Sequence, residues 1–256
     1  MKHIQKKYGF QLADAADKVS AVSTKFEITD KKSLRAAKKS DIYATTDKGY
    51  VIKCFLYQNN GENIVIPIPD LSLVYFDSAY NLNRLRLEQQ KKLNEKIKSV
   101  GKKELSENAI NEIYRYYGYS SSCLISLFTA IESFINHILP EDRNYEKDCG
   151  HKTEIYTKSQ VQKGLTFEEK TRKVLPYFFE KDYFKKPTAN TQHIYNLKEL
   201  RDEIIHPKAE KNLASQEVLM KRLLKFDYDK TMEAVASFIN FYQPEYIVEC
   251  NCGVDF

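Results

Sequence analysis

Residues 123–139 have the sequence CLISLFTAIESFINHIL, and Pro140 follows them directly. Apolar side chains would occupy nearly every face of a helix formed by this stretch, so the helix must be buried among other elements. Proline does not continue a helix, which places the helix end at or just before Pro140. A buried central helix of this kind predicts a mainly α fold.

Apolar residues recur at helical spacing on both sides of this stretch, which predicts further helices joined by short connections, as in a bundle. The central helix itself is expected to begin near Leu105. Residues 141–164 are polar and are expected to form an excursion from the bundle or a partly mobile loop. The other predicted helices cover residues 80–100, 167–184, 191–206, 213–221 and 227–242.

The N-terminal part of the chain has a different pattern. Residues 50–57 (YVIKCFLY) and 63–68 (NIVIPI) are rich in β-branched and aromatic residues, and Asn59-Asn-Gly61 between them is a turn signal. This pattern predicts a β-hairpin, with a further strand at residues 73–76. A short helix in residues 1–24 and loops with one helical turn in residues 30–48 complete the prediction. We therefore expect a small α+β extension over residues 1–76 and a helical bundle over residues 77–256.

The composition limits the classes of function. The chain has 40 lysines and arginines against 35 acidic residues, a net charge of +5, which is compatible with a polyanionic ligand without requiring one. Five scattered cysteines favour reduced thiols in the cytoplasm. No apolar run has the length of a signal peptide core or of a membrane span. We therefore expect a cytoplasmic protein with no membrane contact, no cofactor and no metal.

Residues 195–208 (YNLKELRDEIIHPK) place an arginine, an acidic residue and a histidine near the end of a predicted helix. Pro207 disfavours helical dihedrals at His206, so the helix should end there. Arg201 and His206 are five residues apart, about 140° around an ideal helix, and would flank a seam. This arrangement suits a phosphate held between a fixed cation and a titratable ring.

A structural interpretation of the same residues is also open. Arg201 would then pair with Glu199 or Glu203, and His206 would cap the end of the helix through the helix dipole.

The central helix carries polar side chains that need partners. Glu132 and Asn136 lie one turn apart on one face of it. A carboxylate within so apolar a helix is costly unless it is paired, and Arg201 is a natural partner. The ion pair would serve either to orient a catalytic arginine or only to join two helices.

Residues 130–139 (AIESFINHIL) together with residues 197–207 (LKELRDEIIHP) resemble the HEPN superfamily of helical bundles. The hallmark of this family is an arginine, a polar residue, three or so further residues and a histidine, which Arg201, Asp202 and His206 match. The resemblance covers about residues 78–242. It implies an up-and-down bundle that forms a homodimer and brings two arginine–histidine pairs together in a cleft. Many members are metal-independent ribonucleases that act as toxins, antiphage defence effectors or RNA-processing enzymes.

The expected function is therefore a metal-independent endoribonuclease with RNA as its substrate and an antitoxin or other protein as a possible partner. Arg201 would hold the phosphate, His206 would transfer protons, and Glu132 or Asn136 would orient them, with Asp202 at the polar position of the motif. The alternative is a non-catalytic HEPN-like protein that binds a nucleotide or scaffolds a protein partner.

Two further clusters have open interpretations. Cys250 and Cys252 are either free thiols or part of a metal site, although the sequence places no histidine near them. Four tyrosines near Arg115 are either a packing or dimer surface or a platform on which single-stranded bases stack. These tyrosines are Tyr114, Tyr116, Tyr117 and Tyr119.

Overall fold

The computed structural model describes residues 3–7, 42–45, 51–100, 107–208 and 213–252. Most of these residues are helical, and the strands form two small antiparallel sheets. The expectation of a mainly α fold is therefore confirmed. Within the described part of the chain, no helix is both long enough and apolar enough to cross a membrane.

The elements follow one another in this order along the chain. They are β1 (Ile42–Thr45), β2 (Val51–Asn59), β3 (Glu62–Pro67), α1 (Leu71–Val100), α2 (Glu107–Ile138), β4 (Tyr145–Asp148), β5 (Thr153–Tyr156), α3 (Lys158–Gly164), α4 (Phe167–Glu169), a π-helical segment (Lys170–Val174), α5 (Leu175–Phe179), α6 (Ala189–Ile205), α7 (Ala214–Lys225) and α8 (Tyr228–Tyr242).

The chain forms two compact units, one of Lys6–Leu73 and one of Met1–Gln5 with Val74–Phe256. In the first unit, β1, β2 and β3 make an antiparallel sheet in that order. The turn between β2 and β3 contains Asn60 and Gly61, both with positive φ (48° and 89°), as a tight hairpin requires. The predicted hairpin is thus confirmed.

Other predictions for the N-terminal part had different outcomes. Strand β1 forms where a loop was expected. The helix predicted within residues 1–24 and most of the loops predicted within residues 30–48 lie outside the described residues.

The predicted strand at residues 73–76 is wrong, because these residues belong to the first turns of α1. The carboxylate of Asp70 accepts hydrogen bonds from the backbone amides of Ser72 (2.8 Å) and Leu73 (3.4 Å). These bonds satisfy amides that the first helical turn leaves without partners. The helix can therefore start directly after Pro69, and it buries Phe76 on one face.

The second unit is built around α2. This helix packs against α6, α7 and α8, and α6 also packs against α8. On another side, the thiol of Cys123 donates a hydrogen bond to the carbonyl of Ala79 in α1 (3.3 Å). These neighbours bury most of the apolar side chains in residues 123–139, as predicted, whereas His137 is exposed and Glu132 is half-buried. Fully buried side chains of α2 include Leu124, Leu127, Phe128, Ile131 and Phe134.

The polar segment 141–164 is not the loop that was expected. Strands β4 and β5 pair antiparallel in it, and α3 follows. The turn relies on Gly150, which has φ of 81° and donates its amide hydrogen to the carboxylate of Asp148 (2.7 Å). Tyr145 anchors the hairpin, because it is buried with its ring 5.2 Å from that of Tyr177.

Helix α6 begins with a capping box, and this box predicts a measurable stability effect. The Thr188 hydroxyl accepts the amide hydrogen of Thr191 (3.2 Å), and the Thr191 hydroxyl accepts that of Thr188 (2.8 Å). Thr188→Ala should lower the free energy of unfolding by about 1 kcal/mol, while Thr188→Ser should have little effect. Urea denaturation followed by circular dichroism checks this. Equal destabilisation by both variants would show that the hydroxyl does not cap the helix.

Candidate functional site

Helix α6 presents Arg201 and ends at His206. The helix ends because His206 leaves helical geometry (φ −118°, ψ 62°) and Pro207 follows it. The amide of His206 still donates to the carbonyl of Asp202 (2.9 Å). The predicted end of this helix is therefore confirmed, and His206 is fixed through its backbone at the helix end.

The guanidinium group of Arg201 has contacts on three sides. Its Nη1 donates a hydrogen bond to Asp202 Oδ1 (3.0 Å), and its Nη2 lies 3.8 Å from Glu132 Oε2. The guanidinium carbon is 5.0 Å from the ring centroid of the buried Phe128. The expected ion pair between Arg201 and Glu132 is present and joins α6 to α2. Only 27% of the Arg201 side chain is exposed, so neighbouring groups restrict its movement.

The acids proposed as structural partners of Arg201 have another partner. Glu199 and Glu203 both form ion pairs with Arg222 of α7. Their side chains are on the face of α6 that is turned towards α7. Pairing of Arg201 with either acid is therefore wrong, since Arg201 is on the face turned towards α2.

Asp202 links the site to a second cation. Its carboxylate accepts hydrogen bonds from Lys198 (2.9 Å) as well as from Arg201. Burial acts to raise the pKa of Asp202, but the hydrogen bonds from Lys198 and Arg201 outweigh it and hold the pKa below its ordinary value. Asp202 is thus a carboxylate at neutral pH and accepts hydrogen bonds without donating them.

His206 is exposed and lines an open pocket of about 390 Å³ between the end of α6 and the start of α7. Lys208 lines the same pocket and adds a positive charge. Among the described residues, none forms a hydrogen bond with the imidazole of His206. The ring is therefore accessible to a ligand from solvent. Arg201 precedes His206 by five residues, which corresponds to about 7.5 Å along the helix axis.

Asn136 belongs to a polar cluster that the sequence analysis did not foresee. The ammonium group of Lys170, which is only 7% exposed, donates to the carbonyl of Gln162 (2.7 Å) and lies 3.5 Å from Asn136 Oδ1. The Gln162 side chain donates to the Asn136 carbonyl (3.0 Å). Asn136 is therefore engaged with α3 and the π-helical segment, and no contact between described residues joins it directly to Arg201.

The charge of Lys170 links the Asn136 cluster to the ion pair between Arg201 and Glu132. Burial lowers the pKa of Lys170, and the nearby Glu132 carboxylate offsets part of that effect. Glu132 thus faces two cations, Arg201 and Lys170. Lys170 lies at the start of the π-helical segment, a type of helix that is rare and often found at functional sites. No sequence periodicity predicts a π-helical segment, and Lys170 was therefore not identified as a candidate site residue.

A second open pocket, of about 480 Å³, lies beside the first and shares Val218 with it. Its lining includes three basic residues of α7, namely Lys221, Arg222 and Lys225. Arg222 forms ion pairs with Glu199 and Glu203, and Lys221 forms one with Glu217, so acidic partners offset much of this positive charge.

The tyrosine cluster is divided between the core and the surface. Tyr116 is fully buried and donates a hydrogen bond to the carbonyl of Leu223 (3.3 Å). Tyr114 is 77% exposed. The tyrosines therefore do not form one continuous platform for stacked bases.

The two C-terminal cysteines have a histidine neighbour that the sequence does not reveal. His3 Nε2 lies 3.1 Å from Cys252 Sγ, and Cys250 belongs to the same cluster. His3 is separated from both cysteines by almost the whole chain. Only the fold brings these residues together.

Comparisons with protein-family models, with curated proteins and with solved structures each found no match to this chain. The resemblance to the HEPN superfamily therefore depends on the motif residues alone. The geometry described above brings Arg201, Asp202 and Glu132 together, places His206 at the adjacent helix end, and leaves Asn136 in the neighbouring Lys170 cluster.

The low pKa of Asp202 predicts a pH-dependent contribution to stability. A carboxylate with a lowered folded pKa stabilises the fold above its unfolded pKa, and this stabilisation is lost as the pH falls through the folded pKa. Asp202→Asn should lower the free energy of unfolding at pH 7 by less than about 1 kcal/mol, because the ion pairs are partly exposed. The difference from wild type should decrease as the pH falls below about 3.9, the ordinary pKa of an aspartate, and it should also shrink in 1 M salt.

Urea denaturation at a series of pH values checks this prediction. Glu233→Gln changes an exposed carboxylate on α8 and is the matched control. A difference between wild type and Asp202→Asn that persisted unchanged at low pH would contradict the proposed ionic origin.

Proposed function

We propose that this protein is a metal-independent endoribonuclease of the HEPN type. The observation that carries the proposal is the difference in surroundings between the two motif residues, Arg201 and His206. Arg201 is held in place by Glu132, Asp202 and Phe128, whereas the imidazole of His206 is exposed in an open pocket at the end of the same helix. Cleavage of RNA needs a cation that holds the phosphate and an accessible acid–base group, and in one chain these two groups lie on different sides of α6, with Arg201 towards α2 and His206 in the pocket next to α7.

The reaction uses the 2′-hydroxyl of RNA as the nucleophile. An imidazole removes the proton of this hydroxyl, the oxygen attacks the adjacent phosphorus, and the bond from phosphorus to the 5′-oxygen breaks. A proton delivered to that oxygen completes the step. The products are a 2′,3′-cyclic phosphate and a 5′-hydroxyl. Arg201 would stabilise the negative charge that builds up on the phosphate oxygens.

Arg201 retains the capacity to bind a phosphate. A guanidinium has five N–H donors, and among the described residues only Asp202 accepts a hydrogen bond from it. The contact with Glu132 is 3.8 Å long, which is beyond hydrogen-bonding distance. A phosphate oxygen can therefore bind to Nη2 without breaking a hydrogen bond.

The reaction needs one group that removes a proton and one that donates a proton, and each chain supplies one motif histidine. A symmetric homodimer would bring two copies of His206 to one cleft. Exposed apolar side chains border the pocket and support this arrangement, since Ile205 is 39% and Val218 is 56% exposed. The active form is therefore proposed to be a dimer that joins through the α6–α7 end. A toxin or antiphage role would follow from the family resemblance.

A non-catalytic binding role is the second candidate, and one observation favours it. Two carboxylates, Asp202 and Glu132, lie next to Arg201 and also interact with Lys198 and Lys170 respectively, so the charge of Arg201 is already offset within the protein. In this case Arg201 would join α6 to α2, and the protein would bind a nucleotide or a protein partner through the open pocket.

Cleavage of RNA in EDTA separates the two candidates. Wild-type protein should produce fragments with 5′-hydroxyl ends, which polynucleotide kinase labels directly. His206→Ala should lower the rate by about 100- to 10,000-fold. Arg201→Lys keeps the charge but loses the planar fork, and should lower the rate by about 100-fold.

His137→Ala and Arg172→Lys are the matched controls, since each changes an exposed residue of the same type away from the pocket. Equal cleavage by wild type and His206→Ala would assign the activity to a contaminant. Absence of cleavage by folded wild-type dimer would favour the binding role.

The dimer proposal makes a separate prediction. Val218→Glu places a charge on the apolar rim of the pocket and should convert the dimer to a monomer while lowering RNA cleavage to the level of the His206→Ala variant. Ile155→Glu is the matched control, because Ile155 is 59% exposed on β5, outside the pocket lining. Analytical ultracentrifugation measures the mass. A monomeric wild type with full activity would contradict the requirement for two chains.

A further inference from the structure

Two segments far apart in the sequence pair with each other at one point of the second unit. Ile4 forms an antiparallel bridge with Glu249. The amide of Gln5 donates to the carbonyl of Val248 (2.8 Å), and the amide of Cys250 donates to the carbonyl of His3 (2.7 Å). These bonds set the register of the two segments.

The register places one histidine and two cysteines on the same face. Directly opposite residues of an antiparallel pair point to the same side, so a bridge between Ile4 and Glu249 puts His3 opposite Cys250. Cys252 is two residues further on and points to that side as well. The side-chain ligand atoms of these three residues all lie within 4.8 Å of one another.

The segment that carries the cysteines is anchored on the helices. The side chain of Asn240 in α8 accepts the amide hydrogen of Ile247 (2.8 Å) and donates to its carbonyl (2.9 Å). The ring of Tyr246 lies 5.1 Å from that of Phe134 in α2. On the other segment, Ile4 is 1% exposed and His3 is 5% exposed. Both sides of the cluster are therefore held by the core.

We propose that His3, Cys250 and Cys252 bind a Zn²⁺ ion that joins the two segments. Zinc prefers thiolate sulfur and imidazole nitrogen in tetrahedral geometry. Zinc–sulfur bonds of about 2.3 Å and zinc–nitrogen bonds of about 2.0 Å place tetrahedral ligand atoms roughly 3.5–3.8 Å apart. The three ligand atoms lie within 4.8 Å of one another, so none of their separations needs to shorten by more than about 1 Å. Cys252 is exposed, so a water molecule from solvent can complete the coordination.

The other cysteines in the described residues lack this arrangement. Cys54 and Cys123 are buried as free thiols, and burial raises the pKa of Cys123 to about 12. A thiol of this kind stays protonated and is a poor metal ligand. Cys149 is exposed on the hairpin of β4 and β5, away from the cluster, and is a suitable control.

The proposed ion has a structural role that is independent of RNA cleavage. It would fasten residues 3–5 to residues 247–252 and so add to the backbone bonds between them. Because metal binds the folded chain in preference to the unfolded chain, it should raise the unfolding temperature.

The test uses full-length protein without a polyhistidine tag, stripped with EDTA and kept reduced. After incubation with ZnCl₂ and gel filtration, wild type and Cys149→Ser should each retain one zinc per chain. Cys252→Ser should weaken binding by more than about 100-fold, which exceeds the usual effect of changing an outer-shell partner. Binding of CoCl₂ should give thiolate-to-cobalt charge-transfer absorption in wild type, and this absorption should be weaker in Cys252→Ser, which keeps only the Cys250 thiolate.

Cys252 is exposed, so its substitution by serine leaves the core intact and this variant decides the question even where His3→Ala fails to fold. Retention of zinc by Cys252→Ser at the level of wild type would overturn the proposal. Failure of wild type to retain zinc, or a cobalt complex without thiolate absorption, would overturn it as well.

Discussion

The constraint on which the second unit depends is the burial of α2. A helix that is apolar on nearly all sides gains stability only when neighbours cover each side, and α1, α6, α7 and α8 do so. The few polar side chains on α2 then determine which charged residues can lie opposite. Glu132 needs cations close by, and it has Arg201 on α6 and Lys170 on the π-helical segment. Burial of α2 thus fixes the position of Arg201.

A helix could be predicted where the apolar periodicity and the residues that signal helix ends indicate the same boundaries. Helix α6 was foreseen from its apolar stripe and from Pro207, within two residues at its start and one at its end. Short apolar runs were ambiguous, because residues 73–76 suit a strand as well as a helix. The hydrogen bond that the Asp70 carboxylate accepts from the Ser72 amide favours a helix over a strand here. The hairpin of β4 and β5 was missed because its strands are mostly polar, and its main signal was the turn at Gly150.

The candidate site was predictable only where its residues are close in sequence or need a partner on physical grounds. Arg201 and His206 share one helix, and the cost of burying an unpaired carboxylate pointed to Glu132. Lys170 could not be foreseen, since its role depends on a π-helical segment and on the packing of α3. The role of His3 could not be predicted either, because it lies next to the cysteines only through the pairing of two segments far apart in the sequence.

The position of His206 at the carboxyl end of α6 bears on how many chains an RNA site requires. A helix has the equivalent of about half a negative charge at this end, which opposes an anion. The pocket is lined by Lys208 and by the oppositely charged Glu203, and the charge of Arg201 is offset by Asp202 and Glu132. One chain therefore offers little net positive charge where the scissile phosphate would lie. A second α6 across a two-fold axis would add a second Arg201 and a second Lys208, and its His206 would supply the missing acid–base group. Charge balance and proton transfer thus both favour the proposal that one chain provides half of an RNA-cleaving site.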